Sequence, residues 1–169
     1  MADMIVNLYK IPPFDDSELR SRGIFIKRAL PCDKTAVCEF ITYEFGDGWA
    51  CEAEKAIMMQ PASTCYIAVK DGEVLGFACY DATAPDYYGP LGVSEKARGT
   101  GIGKALSLCC LNAMKWHGYG YAIFNAGPVD YYKKSLGAIV ISQSDYDAVY
   151  ENLICAEEGR REEAQEKGL

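Results

Sequence analysis

The chain has 169 residues, half of them hydrophobic and 24% charged, enough for one globular domain that buries a core without staples. Its net charge of -7, with Lys and Arg scattered rather than striped, argues against nucleic acid as the main partner, because phosphate neutralisation supplies most of that affinity; it mildly favours cationic partners such as amines. No apolar run reaches the roughly 18 residues of a membrane span, and Met1–Lys10 lacks the pattern of a secretion signal, so a cytoplasmic protein with no membrane partner is expected.

From the N-terminus, "MIVNLYKI" (Met4–Ile11) is a candidate first strand broken by Pro12-Pro13, and "DDSELRSR" a candidate short helix. Gly23–Ala29 alternates apolar and polar residues, as a strand does. Asp33 is placed to cap a helix running to about Tyr43. "EFGDGW" reads as a turn-rich loop, and Ala50–Met59 as a second helix stopped by Pro61. Two apolar runs joined through Lys70-Asp71-Gly72-Glu73 form a hairpin signature, because Asp-Gly suits the positive φ of a tight turn.

"YYGPLGV" (Tyr87–Val93) is another strand, interrupted by Gly89, Pro90 and Gly92. Such residues belong at bulges, edges or ligand approaches. After "KARGTGIGKAL" (Lys96–Leu106), apolar residues at Ile102, Ala105, Leu106, Cys109, Ala113, Met114 and Trp116 mark one helix face, ended by His117-Gly118. "YAIFNA" is a continuous apolar strand, typical of a sheet covered on both faces. Strand, helix and strand over Tyr87–Asn125 make a βαβ unit. "PVDYYKKSLG" suits a helix opened by Pro128 and closed by Gly137, and "AIVIS" a further strand. "DYDAVYENLI" has no clear period, and Glu157–Leu169 is a charged tail. One domain over 1–169, with its core at about 23–142, is expected.

Eight cysteines sit mostly in apolar segments without a Cys-x-x-Cys pair; buried reduced thiols fit better than a disulfide framework. His117 is the only histidine, which disfavours a zinc site and places a helix-end residue near the last carbonyls. Cys109 and Cys110 are not offset from it by three or four residues, so no facing Cys-His pair is expected.

The glycine loop is tested against three phosphate patterns. A Walker A loop fails, since Arg98 stands where its first glycine is needed and Ala105 where its hydroxyl is needed. A dinucleotide fingerprint fails, with Lys104 or Leu106 at the last glycine and Ile123 and Phe124 where an acid is required. The pattern Arg/Gln-x-x-Gly-x-Gly/Ala fits Arg98-Gly99-Thr100-Gly101-Ile102-Gly103 at every fixed position. Glycines let backbone N–H groups approach an anion, and the helix start adds its positive end. A plain tight turn or a nucleotide-phosphate site is the competing reading of the loop alone.

With the hairpin before it, the interrupted strand entering it and the Tyr-containing helix after Asn125, the chain resembles the GNAT N-acetyltransferase superfamily over about Gly23–Ile141. The resemblance implies a mixed α/β fold: a twisted, mostly antiparallel sheet with one parallel βαβ unit and helices on both faces. It implies acetyl-CoA as co-substrate, a small-molecule or peptide amine as acceptor, and no metal. Backbone amides of Arg98, Gly99, Thr100, Gly101, Ile102, Gly103 and Lys104 would hold the pyrophosphate. Leu91 and Val93, flanking Gly92, would bond the pantetheine arm, Val93 also polarising the thioester. Asn125 would contact the cofactor. Tyr132, with Tyr131 second, would protonate the departing thiolate, although Tyr131–Gly137 holds one residue more than the family's usual spacing. Glu44, Asp81 and Asp86 are the candidate bases, and the "EFGDGWA" segment with Trp49 would line the substrate site. The alternative is an acyl-CoA-binding sensor or scaffold. Such folds often form homodimers, and no sequence feature here demonstrates one.

Overall fold

The computed structural model describes residues 2–142 and residue 149; the rest of the segment after Ser144, including the expected charged tail, lies outside them. The chain runs β1 (Ala2–Asn7), α1 (Ser17–Ser21), β2 (Phe25–Arg28), α2 (Lys34–Phe45), α3 (Asp47–Ile57), β3 (Cys65–Lys70), β4 (Glu73–Tyr80), β5 (Tyr88–Val93), α4 (Ile102–Trp116), β6 (Tyr121–Ala126), α5 (Val129–Leu136) and β7 (Ile139–Val140).

Strands β2-β3-β4-β5 form one antiparallel sheet, and β6-β1-β7 a second. The hairpin of β3 and β4 turns through Asp71 and Gly72, both at positive φ (51° and 80°), as a type I′ turn requires. The two sheets meet at a single parallel bridge between Tyr87 and Ile123, beside the hydrogen bond from the Ile123 N–H to the Asp86 carbonyl at 3.0 Å. Past this bridge β5 and β6 run on without further pairing. The βαβ unit is therefore open at its C-terminal end, where the glycine loop lies.

Helices cover both faces. Val37, Ile41, Ala53 and Ala56 of α2 and α3 pack on Ile67, Phe77 and Cys79 in one core. The other core gathers Leu106, Cys110 and Met114 of α4, Tyr132 and Leu136 of α5, and Met4 and Val6 of β1.

Several expectations need correction. "EFGDGW" is not a loop: α2 continues to Phe45 and α3 starts at Asp47, leaving only Gly46 (φ 95°) as the break. The first strand is Ala2–Asn7 rather than Met4–Ile11, and "AIVIS" pairs only at Ile139–Val140. Asp33 does not cap α2 with its side chain; its carboxylate instead accepts from Lys27 Nζ and the Leu30 N–H. Trp116 is 85% exposed. At 100° per residue it lies roughly 120° from the Leu106–Cys110–Met114 line that faces the sheet, whereas Ile102, Ala105, Leu106, Ala113 and Met114 of the expected face are buried.

Candidate active site

The glycine loop is shaped by its backbone. Gly99 (φ 76°) and Gly101 (φ 90°) hold conformations that L side chains rarely adopt, and a Cβ at either would meet nothing within 4 Å. The glycines are thus required by conformation, not by crowding. Gly101 is the N-cap of α4 and no side chain caps it. The first N–H groups of α4, at Ile102, Gly103 and Lys104, have no partner inside the helix. They point out of a positive helix end, which suits a pyrophosphate.

Side chains brace this cradle. Thr100 Oγ1 donates to the Ala97 carbonyl at 2.6 Å, and Arg22 Nη2 donates to the Thr100 carbonyl at 2.7 Å. Arg98 Nε reaches the Val93 carbonyl at 3.5 Å. The Ile102 side chain is buried in the α4 core, so this residue offers the cradle only its backbone, while Lys104 is exposed beside it.

Strand β5 offers two kinds of edge. The Ser94 N–H donates to the Leu75 carbonyl at 2.9 Å, and Gly92 lies opposite Phe77. Strand alternation then turns the backbone groups of Gly92 toward β4 and those of Leu91 and Val93 toward the open side, where β6 diverges. Gly92 serves packing instead: a Cβ there would sit 2.6 Å from the Phe45 ring and 2.9 Å from Phe77. One extra residue in β5 shifts the register, with Leu91 opposite Ala78 but Tyr88 opposite Tyr80. This bulge falls at Gly89-Pro90, where the sequence pattern places it.

At the bulge a cavity of about 210 Å³ opens between the diverging strands. Tyr88 to Leu91 form its β5 wall, Phe124 and Asn125 its β6 wall, and Tyr132, Trp49 and Asp3 reach it from α5, α3 and β1. The Tyr132 ring packs edge-on against Phe124 (4.9 Å) and Tyr131 (5.1 Å). Burial, then the neighbouring Tyr131, pushes its phenol up to about 12. Tyr131 is 45% exposed and does not line the cavity. The Tyr88 hydroxyl lies 2.7 Å from Ser107 Oγ, whose own proton goes to the Gly103 carbonyl. Tyr88 is therefore the donor, and this relay ties the cavity wall to the first turn of α4.

The expected bases lie elsewhere. Glu44, in the last turn of α2, does not line the cavity. Nor does Asp81: its oxygens accept from the Asp86 N–H and the Tyr119 hydroxyl, both at 2.9 Å. This holds the loop between β4 and β5. Asp86 has a buried Oδ1 without a partner, and burial, then the Asp81 charge, raises its carboxyl above the ordinary range. Trp49 reaches the cavity as expected. Asp3 and Tyr88 were not expected at the cavity, nor Arg22 at the glycine loop; Asp3 and Arg22 are brought in by contacts 122 and 78 residues apart in sequence. A lone polar Asp in an apolar N-terminal run was the one signal for Asp3.

His117 points away from this site. It is the C-cap of α4 as expected, but its ring Nδ1 lies 3.3 Å from the Tyr80 hydroxyl. Burial raises the Cys110 thiol and pushes that of Cys109 up to about 12, against a reactive thiolate on this helix.

The profile of the acetyltransferase (GNAT) family matches residues 32–138. The chain belongs to that family. Among solved structures, the fold is similar to the GCN5-related glucosamine N-acetyltransferase region of a fungal multi-domain GH3 β-N-acetylglucosaminidase, at TM-score 0.65 and 16% identity over 83% of this chain and 19% of that one. A GCN5-related N-acetyltransferase from Sphaerobacter thermophilus gives TM-score 0.60 and 20% identity, covering 83% of this chain and 48% of that one. A ribosomal-protein-alanine N-acetyltransferase from Brucella melitensis biovar Abortus 2308 gives 0.54 and 19%, covering 72% and 96%. This chain thus spans less than half the length of the first two. No curated protein sequence matches. The GNAT fold carries the loop, the splayed strands and the cavity together. No described helix is long and apolar enough to cross a membrane, and the described residues hold no cluster suited to a metal.

Proposed function

We propose that the chain transfers an acetyl group from acetyl-CoA to a primary amine by direct attack in a ternary complex, in the cytoplasm. The observation that carries this reading is the uncapped, glycine-shaped start of α4 at the open end of the β5–β6 splay, with Tyr132 in the cavity beyond. The residues fit acetyl-CoA: N–H groups of Gly99–Lys104 for the pyrophosphate (the Arg98 N–H, expected there too, already donates to the Glu95 carbonyl at 3.2 Å), backbone edges of Leu91 and Val93 for the pantetheine arm, and the cavity for the acetyl end. Acetyl-CoA supplies a thioester that an amine can attack. Asn125 borders the acetyl end, and Tyr132 gives a proton to the sulfur that leaves; a phenol held near 12 stays protonated across the working range.

Thermal unfolding with acetyl-CoA, CoA, ATP and NAD tests the reading. Ligand at about a hundred times its dissociation constant stabilises by roughly 2.7 kcal/mol, a shift of about 5–11 °C at about 2–4 °C per kcal/mol for a chain of this size. A shift with acetyl-CoA and CoA alone supports it; no shift at saturating acetyl-CoA removes it. Release of CoA that depends on an added amine separates an enzyme from a sensor that only binds.

A further inference from the structure

We infer that Asp3, carried into the cavity by β1, is the carboxylate that takes the proton from the acceptor amine. The inference rests on the acetyl-transfer reading above. Strand β1 lies between β6 and β7, and its register sets Asp3 beside Asn125 on one face of the sheet. Asp3 is 8% exposed, and it borders the cavity that Tyr132 also borders. The Asn125 amide donates to Asp3 Oδ1 at 3.4 Å, a long bond that orients the carboxylate and leaves acceptor sites open.

Its surroundings favour a visiting cation. Among the described residues no Lys or Arg is paired with Asp3. The other titratable groups lining the cavity are the phenols of Tyr87, Tyr88 and Tyr132; Tyr88 is committed to Ser107, and the Tyr87 phenol is raised by burial and then by the Asp3 charge itself. Trp49 on the α3 side is neutral. A carboxylate held among aromatic rings attracts a primary ammonium by charge and by cation–π contact. Glu44, Asp81 and Asp86, the bases expected from sequence, do not line this cavity.

The step balances. Asp3 removes one proton from the ammonium, freeing the nitrogen lone pair. The nitrogen bonds to the acyl carbon and the carbon–sulfur bond breaks. The sulfur takes the Tyr132 proton, and the second proton lost from nitrogen restores that phenol. Asp3 returns its proton to water, so one proton is released per turnover.

The test follows acetyl-CoA consumption with a thiol reagent over a set of primary amines that includes 2-phenylethylamine, spermidine and glycinamide. With the best of these, Asp3→Asn is expected to keep the KM for acetyl-CoA and lose about 10²-fold or more in kcat at pH 7. The gap closes toward pH 10, where the free amine forms unaided. Asp3→Glu keeps the charge and is expected to recover part of the rate; the wild type must show a kcat that falls as a carboxylate protonates. Parallel pH profiles for wild type and Asp3→Asn, or a wild type without that acidic fall, overturn the assignment while leaving acetyl transfer intact. Acetyl-CoA stabilisation without turnover of any amine removes the transferase reading and Asp3's role together. Should Asp3→Asn lose the acetyl-CoA stabilisation, the Asp3→Glu and wild-type profiles decide.

Discussion

Replacing Gly101 with Ala isolates what the loop's backbone contributes. Gly101 holds φ 90° and ψ -5° at the start of α4, and a Cβ there meets no atom within 4 Å. The methyl group therefore brings no clash, and its cost is the left-handed backbone alone, about 1–2 kcal/mol. That cost can surface in two places. If the loop keeps its shape, the free protein loses it as stability, and Tm falls by about 2–8 °C. If the loop relaxes, the N–H groups of Ile102 to Lys104 turn away, and the strain must be restored on binding. The dissociation constant for acetyl-CoA then rises about five- to thirty-fold.

Calorimetric melting with a titration of acetyl-CoA reads both, and the two losses should sum to about the same energy. Gly101→Asn is the control, since Asn tolerates the left-handed region better than Ala; it should recover most of the loss. An Ala variant with wild-type Tm and wild-type affinity would refute the argument, and the run from Arg98 to Lys104 would then be an ordinary turn.

Two further outcomes test other parts of the site. Tyr132→Phe should lower kcat by about 10²-fold while the acetyl-CoA-induced shift in Tm is kept; because the phenol is held near 12, the wild-type rate should show no alkaline fall from this group below about pH 11. Asp86→Asn should raise Tm at neutral pH. The Asp86 carboxyl is raised by burial and by Asp81, so the native state holds its proton longer than the unfolded chain. Stability from this group is complete below the ordinary carboxylate range and is lost as pH rises through the raised value. The advantage of Asp86→Asn over wild type should therefore vanish below about pH 4, and an advantage constant with pH would contradict the assignment.

What the sequence disclosed was local. Asp71-Gly72 set the hairpin because a two-residue turn needs positive φ. "YAIFNA" marked the strand, but β6 buries only its Ala122, Phe124 and Ala126 face, with Tyr121 exposed and Ile123 and Asn125 half-buried, rather than both faces. The bulge at Gly89-Pro90 and the glycine loop were legible for the same reason: each depends on residues within a few positions. The site's carboxylate was not, because the pairing of Asp3 with Asn125 spans nearly the whole chain. Glu44, Asp81 and Asp86 were chosen by their expected position near the open end of the sheet, and that position says nothing of which face a side chain takes. Gly46 was hidden for a different reason. Two helices meeting at one residue look like a loop when the residues around the break are Gly and Asp, which are poor helix formers in isolation.

The same alternation that concealed Asp3 also fixes it. In β1, Met4 and Val6 are almost completely buried and belong to the core shared with α4 and α5. Asp3 takes the opposite face, beside Asn125. A slip of β1 by one residue would exchange these sets, moving two large apolar side chains out of the core and driving a carboxylate into it. Burying each apolar side chain contributes about 1.5–3 kcal/mol, and an unpaired buried charge costs several kcal/mol more. The register is therefore held by packing on one face, and the carboxylate's place at the cavity on the other face follows from it. Asp3 needs no loop or ion pair to keep its position, and its oxygens stay available to a ligand.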